Sequence, residues 1–244
     1  MAKPRALLFD IDGTLTKSGG AGARALASAL GAKMKAAEEL RHMRLDGMTD
    51  RSIVRLLLAA ENHDRARPIA ERAAAVEDAQ IDALLGPYLE ALAVECAAHS
   101  YTTQPGVPAL IEHLKTRDDV ILGLCTGNLE RGAQLKIDST GLDFKTFRFG
   151  GYGSDAEARP EIVKLAWKRA QALGAVEGLV IGDTPRDVLA AHEAGLPCCG
   201  VATGRWTVHD LGENGADAIV ESFADLQKTL AVLLSPDLGA RAAR

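Results

Sequence analysis

The chain has 244 residues, 47% hydrophobic and 25% charged, which is the mixture of a globular protein long enough to bury a core without disulfides or structural metal. A formal net charge of -5 excludes the basic footprint that nucleic acid or an anionic membrane surface demands. No run approaches the roughly 18 apolar residues of a membrane span. Cys96, Cys125, Cys198 and Cys199 form no CxxC pair, so they read as reduced thiols of a cytoplasmic protein.

Along the chain, short apolar runs alternate with longer amphipathic stretches. The first strand is expected at Ala6–Phe9 and ends in Asp10-Ile11-Asp12-Gly13-Thr14. Residues 21–99 then break the alternation. They are rich in Ala, Leu, Glu and Arg, with apolar residues such as Ile53, Leu56 and Leu57 at helical spacing, and they predict about four helices. That stretch is too long for a simple crossover, so it reads as an inserted cap, with Gly19-Gly20-Ala21-Gly22 suited to a hinge. The alternation resumes with a helix over 106–116, a strand at Val120–Cys125 ending in Thr126-Gly127-Asn128, and a helix over 129–139. A strand at Phe144–Phe149 follows, then a helix opened by Arg159-Pro160, and a strand at Leu179–Ile181 ending in Gly182-Asp183. A helix over 186–194 and strands at Pro197–Val201 and Ala218–Val220 complete the pattern.

Apolar strands between amphipathic helices specify a parallel sheet covered on both faces. The predicted fold class is α/β, a Rossmann-like parallel sheet core with an inserted all-helical cap. Residues 1–20 and 100–235 form the catalytic core, 21–99 the cap, and 236–244 a tail that frays.

In such sheets ligands collect beyond the carboxyl ends of the strands. Asp10 and Asp12, two residues apart, share one face of an extended segment, and Asp183 and Asp187 follow another strand. Converging carboxylates repel one another and raise their own pKa values. A hard divalent cation relieves this, and an oxygen-only donor set suits Mg²⁺. The six histidines, at 42, 63, 99, 113, 192 and 209, have no ligand-like spacing. Acids, a cation, the Thr126 hydroxyl and one positive side chain fit phosphoryl transfer.

The segments FDIDGTLT, LCTGN, Arg159-Pro160 and VIGDTPRDVLAAHEAG resemble the four motifs of the haloacid dehalogenase-like hydrolase superfamily. The helical insert resembles the cap of its phosphoglycolate-phosphatase-like branch. The resemblance implies an aspartyl-phosphate mechanism. Asp10 attacks phosphorus, Asp12 serves as general acid and base, and Thr126 binds a phosphoryl oxygen. It implies Mg²⁺ held by Asp10, Asp12 through its backbone carbonyl, and Asp183, with Asp187 nearby. Backbone N–H groups near Ile11, Gly127 and Asn128 are expected to cradle the phosphate. Arg159 stands where the family usually has Lys, with Lys164 a turn further on as the alternative cation. Dehalogenases of the family lack an acid at the position of Asp12, so the expected activity is phosphatase.

The cap turn Asp46-Gly47-Met48-Thr49-Asp50 is the candidate reader of the leaving group, with Gly47 and Thr49 as substrate-binding residues and Thr49 or Asp50 as a helix N-cap. Arg44, Arg51 and Arg55 either meet an acidic substrate or form a solvated face. The expected substrate is a small phosphorylated metabolite, phosphoglycolate-like or a sugar phosphate monoester, handled by a monomer or homodimer. The alternatives are a phosphomutase or phosphotransferase of the same superfamily, and a catalytically silent binding protein.

Overall fold

A computed structural model describes residues 4–31, 44–61, 66–98 and 101–240. Its centre is a six-stranded, all-parallel sheet. Strand β1 (Arg5–Phe9) lies in the middle, every residue buried, as a run without polar alternation requires when both faces are covered. It pairs on one side with β4 (Val120–Cys125), which pairs in turn with β5 (Phe149–Gly151), and on the other with β6 (Glu177–Gly182). Beyond β6 lie β7 (Cys198–Val201) and β8 (Ala218–Val220), giving the order β5-β4-β1-β6-β7-β8.

Period-two alternation sends Leu7 and Phe9 to one face, against α5 (Val107–Leu114), α6 (Glu130–Ser139) and α10 (Leu226–Leu233). Ala6 and Leu8 face the other way, against α7 (Arg159–Ala172) and α8 (Pro185–Glu193). The chain climbs to one side of β1 through β4 and β5, then crosses to β6 on the other side. The switch point therefore falls between the carboxyl ends of β1 and β6, directly at Asp10 and Asp183.

Between the first two core strands stand α1 (Ala21–Leu30), α2 (Asp50–Glu61), α3 (Ile69–Ala74) and α4 (Asp78–Ala98). Ala21 and Ala25 of α1 pack with Val54 of α2 and Ile81, Tyr88 and Leu92 of α4 into a core separate from those of the sheet. This is the helical cap. The chain leaves and re-enters the core through a two-stranded antiparallel ribbon that the sequence does not announce: β2 (Thr16–Lys17) pairs with β3 (Thr102–Thr103).

Two expectations change. The strand read at Phe144–Phe149 begins only at Phe149, and Phe144–Thr146 is a 3-10 turn in which the Asp143 side chain accepts the Lys145 N–H at 2.9 Å. The strand continues instead through Gly150 and Gly151, because a Cβ at Gly151 would lie 2.4 Å from the Ile162 carbonyl oxygen of α7. The tail forms a short helix, α11 (Pro236–Ala240), with Leu238 buried in the sheet core. His42, His63, His99 and residues 241–244 lie outside the described residues.

Candidate active site

The ends of β1 and β6 bring buried carboxylates together. Ligand oxygens of Asp10, Asp183 and Asp187 all lie within 4.8 Å of one another. The turn after β6 is fixed by a capping box, with Thr184 N–H donating to Asp187 Oδ2 at 3.0 Å and the Thr184 hydroxyl accepting the Asp187 N–H at 3.4 Å. Asp187 thus spends one oxygen on the start of α8. Its other oxygen takes Nη2 of Arg159, which also meets Asp10 Oδ1 at 2.9 Å. The Arg159-Pro160 start of α7 places that guanidinium, buried, beside Asp10. Gly13 lets the loop after β1 close on Asp183. Its φ is +89°, and a Cβ there would stand 2.2 Å from Asp183 Oδ2.

Three acids face one guanidinium, and their chemistry registers the imbalance. Burial, reinforced by Asp187 and Asp10, pushes the Asp183 carboxyl up to about 9. Burial likewise lifts Asp10 to about 6, against the pull of Arg159 and with the push of Asp187 and Asp12. An excess of buried, oxygen-only negative charge fits a hard divalent cation such as Mg²⁺. Asp12 lies outside this triad. Its carboxylate turns to a second group formed by Asn128, which the sequence had offered for the phosphate, and Lys136, which the sequence reading missed. Lys136 Nζ stands 2.6 Å from Asp12 Oδ2, and Asn128 Nδ2 donates to the same oxygen at 2.8 Å. Burial would lower the Lys136 pKa, but Asp12, Tyr88, Tyr101 and Asp50 hold it well above its ordinary value.

Thr126 follows β4 as expected, and its hydroxyl accepts from Asn128 Nδ2 at 2.8 Å. The Asn128 side chain is therefore committed to Asp12, Thr126 and Lys136. The Gly127 carbonyl accepts the Asp50 N–H at 2.8 Å. The structure brings Arg159 into the site, whereas Lys164 is exposed and paired with Glu161. Only the folded chain separates these two candidates.

The cap turn closes the site from above. The Gly47 carbonyl accepts Arg159 Nη1 at 2.9 Å, the Arg44 carbonyl accepts Arg186 Nη2 at 3.1 Å, and the Asp46 carbonyl accepts Arg186 Nη1. Thr49 caps α2 by accepting the Ser52 N–H at 3.1 Å, and its hydroxyl donates to the Glu157 carbonyl at 3.1 Å. Arg51 pairs with Asp82 and Arg55 with Glu157, so these two cations are engaged in ion pairs, while Arg44 stacks 4.6 Å over the Trp206 ring. Between cap and core lies a cavity of about 460 Å³ lined by Asp10, Asp12, Met48, Thr126, Asp183 and Arg205 among others.

A parallel sheet with buried acids at its switch point and a helical cap across them defines a hydrolase with an acid-lined site beneath a cap. The chain belongs to the haloacid dehalogenase-like hydrolases, whose family model matches residues 4–195. It is similar to a phosphoglycolate phosphatase of Caulobacter vibrioides, 30% identical and covering 94% of this chain and 92% of that one. A phosphoglycolate phosphatase of Rhodospirillum rubrum is 28% identical over 91% of this chain and 89% of its own. Among solved structures, a hydrolase from Pseudomonas syringae superposes with a TM-score of 0.68 at 24% identity, covering 93% of this chain and 98% of that one. CbbY from Rhodobacter sphaeroides does so with a TM-score of 0.66 at 21% identity, over 93% and 96%. Among the described residues no helix is long and apolar enough to cross a membrane.

Proposed function

We propose that this hydrolase is a Mg²⁺-dependent phosphatase that passes the phosphoryl group of a small phosphorylated metabolite to Asp10 and then to water. The observation that carries the reading is the placement of Asp10. Its carboxylate lies at the switch point, 2.9 Å from a buried guanidinium, inside an acid triad and at the wall of the cavity between cap and core. Asp10, Asp183 and the Asp12 carbonyl would hold the ion with Asp187 beside them, and when bound it supplies positive charge to the phosphate oxygens.

Asp10 attacks phosphorus as the P–O bond to the leaving group breaks. The electron pair goes to the leaving oxygen, which takes a proton from Asp12. Water then gives a proton to Asp12 while its oxygen attacks phosphorus, and Asp10 leaves as a carboxylate with inorganic phosphate. Thr126 and the N–H groups beyond β4 orient the phosphoryl oxygens, and Arg159 balances charge beside the nucleophile.

The names of the curated relatives favour a phosphoglycolate-like substrate, with sugar phosphate monoesters the next class. The cap, residues 21–99, closes over it about the Gly19-Gly20 segment, both glycines having positive φ. The four free, buried cysteines support a cytoplasmic location. Phosphate release from a panel of phosphorylated metabolites, in Mg²⁺ and in EDTA, tests the reading. Wild type should release phosphate only with Mg²⁺ and Asp10→Asn should release none; release by Asp10→Asn at the wild-type rate would sink it.

A further inference from the structure

We infer that Lys136 is a positioning residue for Asp12, holding one carboxylate oxygen so that the other is left to carry the proton exchanged with the leaving group. The inference rests on the phosphatase reading, in which Asp12 is the acid. Asp12 sits in the loop beyond β1, where its own backbone fixes it only through an isolated bridge to Thr16. Both hydrogen bonds to its carboxylate come from outside that loop, and both fall on Oδ2, from Lys136 at 2.6 Å and Asn128 at 2.8 Å. Among the described residues none donates to Oδ1, and Asp12 lines the cavity. A carboxyl group whose Oδ2 faces two donors, one of them cationic, can hold a proton only on Oδ1. The two oxygens are thereby made unequal before any substrate arrives.

The arrangement is built, not incidental. Lys136 lies in the last turn of α6, where a cation ordinarily points to solvent and complements the helix dipole. Here its side chain is 5% exposed, while that of Asp12 is 39% exposed. The ammonium also donates to Asn128 Oδ1, and Asn128 Nδ2 reaches Thr126, so Lys136, Asn128, Asp12 and Thr126 form one connected set. The far side is covered as well. Tyr101, just past the cap, lies over the ammonium at 5.8 Å, and Asp50 of the cap accepts the Tyr88 hydroxyl at 3.3 Å and the Leu129 N–H at 2.9 Å, just before α6. A cation placed only to neutralise the interior would not need to share a single carboxylate oxygen with an amide that is itself held on both ends.

The leaving group separates positioning from a merely structural role. Nitrophenolate departs without a proton, whereas an alkoxide needs one, and kcat/KM reports the first half-reaction alone. For Lys136→Met, kcat/KM on an alkyl phosphate that the wild type turns over (phosphoglycolate or glycerol phosphate) should fall about 10- to 100-fold, against at most about threefold on p-nitrophenyl phosphate. Lys136→Arg should recover part of the alkyl phosphate rate. Equal losses on both substrates, or no loss on either, would overturn the inference. If Lys136→Met does not fold, Asp12→Asn/Lys136→Met, which removes both charges, is compared with Asp12→Asn on p-nitrophenyl phosphate. Matching rates support action through Asp12, and a further fall in the double variant overturns it. Wild type that releases phosphate from neither substrate, or Asp10→Asn that releases it, removes the phosphatase reading itself and is recognised before any Lys136 variant is compared.

Discussion

At the scale of single residues, the site is governed by how little counter-charge its acids have. Burial and its acidic neighbours push the Asp183 carboxyl up to about 9, so the proposed Mg²⁺ should displace a proton from it at pH 7.5. Calorimetry of Mg²⁺ binding at that pH, in buffers of different ionisation enthalpy, should register release of about one proton per ion, and Asp183→Asn should abolish the release. The same shift sets a stability trend. A carboxyl raised from its ordinary 3.8 to about 9 favours the folded state fully below 3.8 and costs stability as pH climbs through that window. In EDTA the Tm should therefore fall between pH 5 and about 9, and Mg²⁺ should flatten the fall; a flat profile in EDTA would contradict this. Among the described residues, Arg159 is the sole guanidinium joined to both Asp10 and Asp187. Arg159→Met strands two buried carboxylates and should cost about 3–5 kcal/mol in denaturant unfolding without metal, as well as activity.

Turns carry the geometry at the scale of elements. The capping box that starts α8 holds Asp187 toward Arg159, so Thr184→Ala should lose about 1 kcal/mol of stability and reduce Mg²⁺ affinity together. Gly47, at φ +70°, brings the cap turn against that same threonine, where a Cβ would stand 2.5 Å from Thr184 Oγ1. Gly47→Ala should raise KM with little change in the unfolding midpoint, since the strain falls on cap docking; an unaltered KM would argue against a closed cap in catalysis. These elements also mark where the sequence was readable. Ala6–Phe9 of β1, Val120–Cys125 of β4 and Leu179–Ile181 of β6 are unbroken apolar runs followed by acids or Thr126, so their positions and the cluster at their tips follow from the sequence pattern. β5 was misread because Gly150-Gly151 has no strand signature and is required there only by the closeness of α7. Lys136 escaped because a lysine near a helix end looks solvated until the chain folds it under Asp12.

At the scale of the whole molecule, the cap keeps its own apolar core while an antiparallel ribbon at Thr16–Lys17 and Thr102–Thr103 ties it to the sheet. Closure is then held by apolar packing of α4 on α6, where Leu129 and Leu135 join the cap cluster, and by polar contacts across the cavity. Arg55 grips Glu157 through two hydrogen bonds of 2.7 and 2.8 Å, a side-chain link between the two units. Glu157→Ala should weaken closure by no more than about 1 kcal/mol, visible as a severalfold rise in KM with kcat nearly kept. At the cap turn itself the grip is mostly main chain: the carbonyls of Arg44, Asp46 and Gly47 accept from core arginines, and the Asp50 N–H donates to Gly127. Every amino acid offers those same atoms. A lid fastened by its backbone can exchange the side chains at 45, 46 and 48 that line the cavity without loosening its hold, so descendants of this chain can drift from one phosphate ester to another while the machinery below stays as it is.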